Sequence, residues 1–118
     1  MAKSKETLVI YHNPKCTKSR ETLKLIEAAG AVHDVVLYLE NPLTEGELKT
    51  LFRKLGMKAA DVIRAKEAKE EGVDVKNLTE AGLVKTLAAH PRLLERPIVV
   101  KGDQAVLGRP PENVKALL

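Results

Sequence analysis

The first 40 residues constrain the fold more than any other stretch. Leu8-Val9-Ile10-Tyr11 is a short apolar, β-prone run that stops at the turn-forming Asn13-Pro14. From Lys18 to Ala29 the chain carries Leu23, Leu25, Ile26, Ala28 and Ala29 at helical spacing, and Gly30 stands where a helix C′ glycine belongs. A second β-prone run, Val32 to Leu39 with Val35-Val36-Leu37-Tyr38 at its centre, closes at Asn41-Pro42. Strand, helix, strand in so short a space favours a parallel pair joined by a helical crossover, the unit from which α/β folds are built.

The middle of the chain reads as helical. Thr44 with Glu47 three residues on forms a capping-box pair, and Leu48, Leu51, Phe52 and Leu55 follow before Gly56. Two further helices are predicted from Ala59 to Glu71 and from Thr79 to Ala89. The Lys66-Glu67-Ala68-Lys69-Glu70-Glu71 run reads as a solvated helix face, Phe52 as core, and Met57 as a core or cap contact. The chain then returns to β structure. Pro97-Ile98-Val99-Val100 and Gln104-Ala105-Val106-Leu107 are separated by Lys101-Gly102-Asp103, a hairpin link. Pro110 and Pro111 suit the first turn of a last short helix, Glu112 to Leu118, because that turn needs no N–H donors. The order β-α-β, helices, β-β-α describes a single α/β domain over residues 1–118 with a helical insertion.

Composition narrows the function. A chain of 118 residues supplies one core, and a hydrophobic share of 44% with 31% charged residues excludes a disordered tail. No apolar run approaches the ~20 residues that cross a bilayer, and Met1 to Thr7 leads into no hydrophobic stretch of leader length. The expectation is a cytoplasmic protein that does not engage membranes. Twenty basic residues against 16 acidic ones leave a net charge of +4, which suits a small anion as well as a nucleic acid. With one Phe, two Tyr and no Trp, stacking platforms for bases are missing, so nucleic-acid binding is not expected. The single cysteine, Cys16, excludes an internal disulfide and any metal site built from Cys pairs. His33 and His90 stand alone and read as structural or exposed residues. No bound cofactor or metal is expected.

The chemistry is concentrated in His12-Asn13-Pro14-Lys15-Cys16-Thr17-Lys18-Ser19-Arg20. This segment joins a strand to a helix, where open α/β sheets bind ligands. A cysteine there faces unpaired N–H groups and the positive end of the helix dipole, which stabilise a thiolate. The same N–H groups can cradle an oxyanion, and Lys15 and Lys18 add positive charge. His12 is a candidate to orient or deprotonate the thiol. Ionisation alone carries little rate, however. For a generic thiol moved from a pKa of about 8.5 to about 6.5, the thiolate fraction at pH 7 rises ~25-fold. A Brønsted slope of about 0.45 returns about 8-fold of that as lost nucleophilicity. Cations that hold the electrophile must therefore supply the rest. Arg96, before Pro97, and Arg109, before Pro110, flank the C-terminal β elements and are candidates. Either Arg–Pro pair is a natural place for a cis bond. Arg64, by position alone, reads as a surface arginine of the helical middle.

The segment H-N-P-K-C-T-K-S-R-E-T-L resembles the signature of glutaredoxin-dependent arsenate reductases, roughly H-N-P-x-C-x-x-S-R-x-T-L. The likeness continues through I-R-x-K-E, E-R-P-I-V-V and G-R-P-P-E-x-V, in order over essentially the whole chain. It implies a thioredoxin-like fold, a mixed sheet with flanking helices and a helical insertion. It implies that Cys16 is the nucleophile, that His12 keeps it reactive, and that Arg64, Arg96 and Arg109 surround the oxyanion, reversing the surface reading of Arg64. Pro97 falls at the cis-proline position of the fold, while Asn13, Ser19 and Arg20 shape the loop. The implied reaction is reduction of arsenate to arsenite through a Cys16 adduct, with glutathione as co-substrate and glutaredoxin as partner. Two alternatives stay open. One is a monothiol oxidoreductase acting on glutathionylated partners, which needs Cys16 but not all three arginines. The other is a non-enzymatic regulator of the same fold, whose Cys-x-x-Cys switch is missing here because Ser19 holds the fourth position.

Overall fold

The structure, a computed structural model, describes residues 7–118; the polar opening Met1 to Glu6 lies outside them. The described residues fall into two compact units, one reaching to Tyr38 and resuming over Arg96–Leu118, the other Leu39–Glu95.

The first unit is built on a four-stranded sheet. Strand β1 (Leu8–Tyr11), helix α1 (Thr17–Ala28) and strand β2 (His33–Val36) form the expected crossover, and β3 (Ile98–Lys101) and β4 (Gln104–Leu107) form the hairpin. The order is β2-β1-β3-β4, with β1 parallel to β2 and antiparallel to β3. This is the thioredoxin-like mixed sheet that the resemblance implies. Alternation along β1 turns Leu8 and Ile10 inward, where they meet Ile26 of α1, Val99 of β3, and Val114 and Leu117 of the C-terminal segment. Burying each of these side chains contributes roughly 1.5–3 kcal/mol. Helix α1 stops as read: Gly30 takes φ +70°, a left-handed conformation that glycine adopts without steric cost. The hairpin turns on two residues, since Lys101 faces Gln104 across it.

Two elements of this unit differ from expectation. Strand β2 ends at Val36 rather than Leu39, because β1 offers only four residues to pair with, Leu8↔His33 to Tyr11↔Val36. The C-terminal segment is a 3-10 helix, Pro111–Leu117, with Pro110 outside it as an extended cap. The side chains of Pro111, Val114 and Leu117 pack inward, a spacing of three residues that the 3-10 helix with its three residues per turn keeps on one face.

The second unit is helical. Helix α2 (Glu45–Leu55) has the full capping box at Thr44 and buries Leu48, Leu51 and Phe52. The reading of Ala59 to Glu71 as one helix fails: α3 (Ala59–Val62) and α4 (Ala65–Glu70) are separate. Ile63 is extended and pairs with Leu94, and the Arg64 N–H donates to the Leu93 carbonyl at 2.7 Å. Those distant partners outcompete helix continuation. The charged run around α4 is solvated except at Ala68, which is buried, and Glu67, whose side chain is only 12% exposed. Met57 is exposed rather than core, and it serves as the cap contact instead, its N–H donating to the Phe52 carbonyl at 3.1 Å. Helix α5 (Glu80–Ala89), capped by the Thr79 hydroxyl, packs against α2 and α3 through its apolar face. Among the described residues no helix is long and apolar enough to cross a membrane.

Candidate active site

The β1–α1 loop folds around its own polar side chains. The Asn13 carboxamide oxygen accepts the Lys15 N–H at 3.0 Å, a local Asx-type turn, and the Asn13 carbonyl accepts the Cys16 N–H at 3.0 Å. Ser19, fully buried, holds the loop from the helix side. Its hydroxyl accepts the Asn13 N–H at 3.0 Å and lies 2.6 Å from His12 Nδ1. Arg20 spans the outside, donating to the Pro14 carbonyl at 3.0 Å and to the Thr17 hydroxyl. Asn13, Ser19 and Arg20 thus each bind the loop backbone or its side chains.

The result is that Cys16 becomes the N-cap of α1. No side chain occupies the cap, so the helix offers its N–H groups to the sulfur. Burial pushes the Cys16 thiol up, but the Ser19 N–H, the Arg96 guanidinium and the Lys18 N–H outweigh it, and the thiol sits below its ordinary range. Arg109 approaches from the other side, with Nη1 4.0 Å from the Cys16 sulfur and 3.2 Å from the Arg96 carbonyl. The Arg96–Pro97 and Arg109–Pro110 bonds are both cis. Lys18 is turned toward Glu21, 3.9 Å away in an exposed pair.

His12 makes its contact on the helix side of the loop. It is buried, and its hydrogen bond goes to Ser19 rather than to sulfur. Burial and the Arg20 charge hold its pKa below the usual value, against a smaller opposing pull from Glu27. The imidazole packs on the hydroxyl of Ser19, the residue whose N–H faces the Cys16 sulfur. Arg64 belongs to the Leu39–Glu95 unit and lies at the N-terminus of α4. Its guanidinium is paired with Glu67 at 2.8 Å and with Glu95.

Two residues that sequence reasoning left without a role lie under this site. Gly108 donates its N–H to the Pro97 carbonyl at 2.9 Å, and Thr22 of α1 packs on Gly108. Both stand within the motifs quoted above, but nothing in their spacing announced the contact.

The sequence profile of the ArsC family matches residues 11–117. An arsenate reductase of Neisseria meningitidis is 46% identical over 112 residues, covering 92% of this chain and 96% of that protein. One from Haemophilus influenzae is 41% identical, covering 95% and 99%. Among solved structures, an arsenate reductase from Vibrio cholerae superposes with a TM-score of 0.90 at 44% identity, covering 96% of this chain and 98% of that one.

Proposed function

The chain belongs to the ArsC family, and from that premise we propose that it is an arsenate reductase in which Cys16 is the nucleophile and glutathione with glutaredoxin supplies the electrons. The observation that carries this reading is the convergence on one sulfur of two helix N–H groups and the Arg96 and Arg109 side chains. The thiolate attacks arsenic(V), forming an S–As bond as one oxygen leaves as water. Those N–H groups and guanidiniums are the donors for the remaining oxygens, and each charge-assisted contact contributes about 1.5–3 kcal/mol. Glutathione then condenses onto arsenic, releasing a second water. Attack of the glutaredoxin thiolate on the glutathione sulfur breaks the S–As bond to glutathione and leaves the electron pair on arsenic. Two thiols become a mixed disulfide, arsenic(V) becomes arsenic(III), and hydrolysis returns the Cys16 thiolate with arsenite.

This sequence needs no second cysteine in the chain, and the sequence has none. The same reading puts the protein in the cytoplasm, where the glutathione pool keeps thiols reduced. It also gives the anion those Arg64 donors that are not engaged where Nε holds Glu67 and Nη1 holds Glu95.

The test is arsenate-dependent NADPH oxidation with glutathione, glutathione reductase and glutaredoxin supplied. Turnover by the wild type, abolished in Cys16→Ser and reduced at least tenfold in Arg96→Ala, is the expected result. Absence of turnover in the wild type, with reduction of a glutathionylated substrate that depends on Cys16 but not on Arg96, would replace this reading by monothiol exchange.

A further inference from the structure

Gly108 is buried and is not among the glycines with positive φ, so a left-handed backbone is not what calls for glycine there. What excludes a side chain there is space. A Cβ at residue 108 would lie 2.7 Å from Thr22 Oγ1, 3.2 Å from Thr22 Cγ2 and 2.8 Å from Pro97 Cγ. Neither neighbour can swing away. The Thr22 side chain is fully buried and pinned by donation from its hydroxyl to the Lys18 carbonyl at 2.9 Å. The buried Pro97 ring has no free rotor, and its carbonyl holds the Gly108 N–H.

These three residues join the pieces that build the sulfur site. Thr22 lies on α1, whose N-terminus carries Cys16 and the N–H groups of Lys18 and Ser19. Pro97 follows Arg96 directly, and Gly108 precedes Arg109. We infer that Gly108 is a positioning residue: the missing side chain lets α1 settle against the two Arg–Pro segments, and this contact sets the reach of Arg96 and Arg109 to the Cys16 sulfur. A methyl group at 108 needs roughly 0.6–1 Å of extra room to reach ordinary van der Waals separation. That displacement opens between the helix and the arginine-bearing strand ends. Arg109 Nη1 already stands 4.0 Å from sulfur, so an added shift of that size takes it out of contact range. A misplacement of about 1 Å at a reacting centre can cost 10²-fold in rate.

The inference rests on Cys16 as the reactive thiol, and its test reads that thiol separately from turnover. Gly108→Ala, Thr22→Ala and the double variant are compared with wild type by the pH dependence of iodoacetamide alkylation and by the protection that arsenate gives against it. In Gly108→Ala the alkylation midpoint moves up toward an ordinary thiol, and arsenate protection weakens about tenfold or more. In the double variant, where the two Thr22 contacts are gone, both readouts return part of the way. A merely structural role predicts the opposite for the pair, since losing the Thr22 hydrogen bond adds damage instead of relieving it. A folded Gly108→Ala with a wild-type midpoint and wild-type protection overturns the inference. If Gly108→Ala does not fold alone, the double variant carries the test, and its failure to fold, or an unrecovered midpoint, overturns the inference equally. Should arsenate protect no form of the protein, the substrate reading fails while the alkylation midpoints still decide the role of Gly108.

Discussion

Replacing Arg109 by alanine separates two things that a cation beside a thiolate can do. Its Nη1 lies 4.0 Å from the Cys16 sulfur, where two unit charges interact by about 1 kcal/mol in water and about 4 kcal/mol at an effective dielectric of 20. A partly buried guanidinium falls between these limits, in the range of about 1.5–3 kcal/mol measured for hydrogen bonds to charged groups. If that interaction is spent on the oxyanion in the transition state, kcat/KM for arsenate drops roughly 10- to 150-fold. If it is spent on ionising the thiol, the effect is smaller. Each tenfold loss of thiolate returns about threefold in nucleophilicity, so reactivity toward a neutral alkylating agent drops only about three- to fourfold per tenfold. The assay is therefore a pair: arsenate turnover in the coupled system, and the second-order rate with iodoacetamide at pH 7. Arg109→Ala is expected to lose far more of the first than of the second. Parallel losses would assign the arginine to the thiol alone, and an unchanged turnover would remove it from the anion site.

Other expectations follow from the same geometry. Because the Cys16 thiol is held below its ordinary range, its alkylation rate should stay on a plateau through the ordinary thiol range and fall only as pH drops through the lowered value; a midpoint at the ordinary thiol value would contradict this. His12 is held below 6.5 by burial and by Arg20, so the unfolded chain takes up a proton there before the folded one does. Urea melts should show stability falling as pH is lowered from about 6.5 toward the folded value, and His12→Asn should flatten that slope. Arg64→Ala should destabilise by about 1–3 kcal/mol in urea melts, because it strands Glu67 and Glu95, which are 12% and 26% exposed. Arg92→Ala, whose ion pairs with Glu70 and Glu71 are solvated, should be close to neutral in the same measurement.

How much of this was legible in the sequence depended on how far apart the deciding residues stand. The β1–α1–β2 unit, the Thr44 and Thr79 caps and the Gly102-Asp103 hairpin each follow from residues within a few positions of one another, and all are present. The nucleophile loop is equally local, since Asn13, Cys16, Ser19 and Arg20 satisfy one another inside eight residues. Helix period, by contrast, gave no warning that Ala59 to Glu71 would break, because the break is made by Leu93 and Leu94, some 30 residues on. The same pairing turns Arg64 from an interior helix position into an N-cap that meets Glu95. His12 stands four residues from Cys16 across a turn, a spacing that left its link to the thiol weak, and in the fold its Nδ1 meets Ser19.

Gly108 makes the physical reason plainest. The sequence reading gives this glycine no role beyond its place in a motif, and no left-handed backbone calls for it here. Its necessity comes from Thr22, 86 positions earlier, and from Pro97 across the hairpin. Cys16 and two of the donors at its sulfur, the Lys18 and Ser19 N–H groups, lie together in one short loop and the first turn of its helix. The cations that complete the site arrive from the far end of the chain, and the distance at which they arrive is set by packing. That division explains why a motif names the nucleophile so readily, while the residue that brings the arginines within reach is visible only once the helix and the strands are seen in contact.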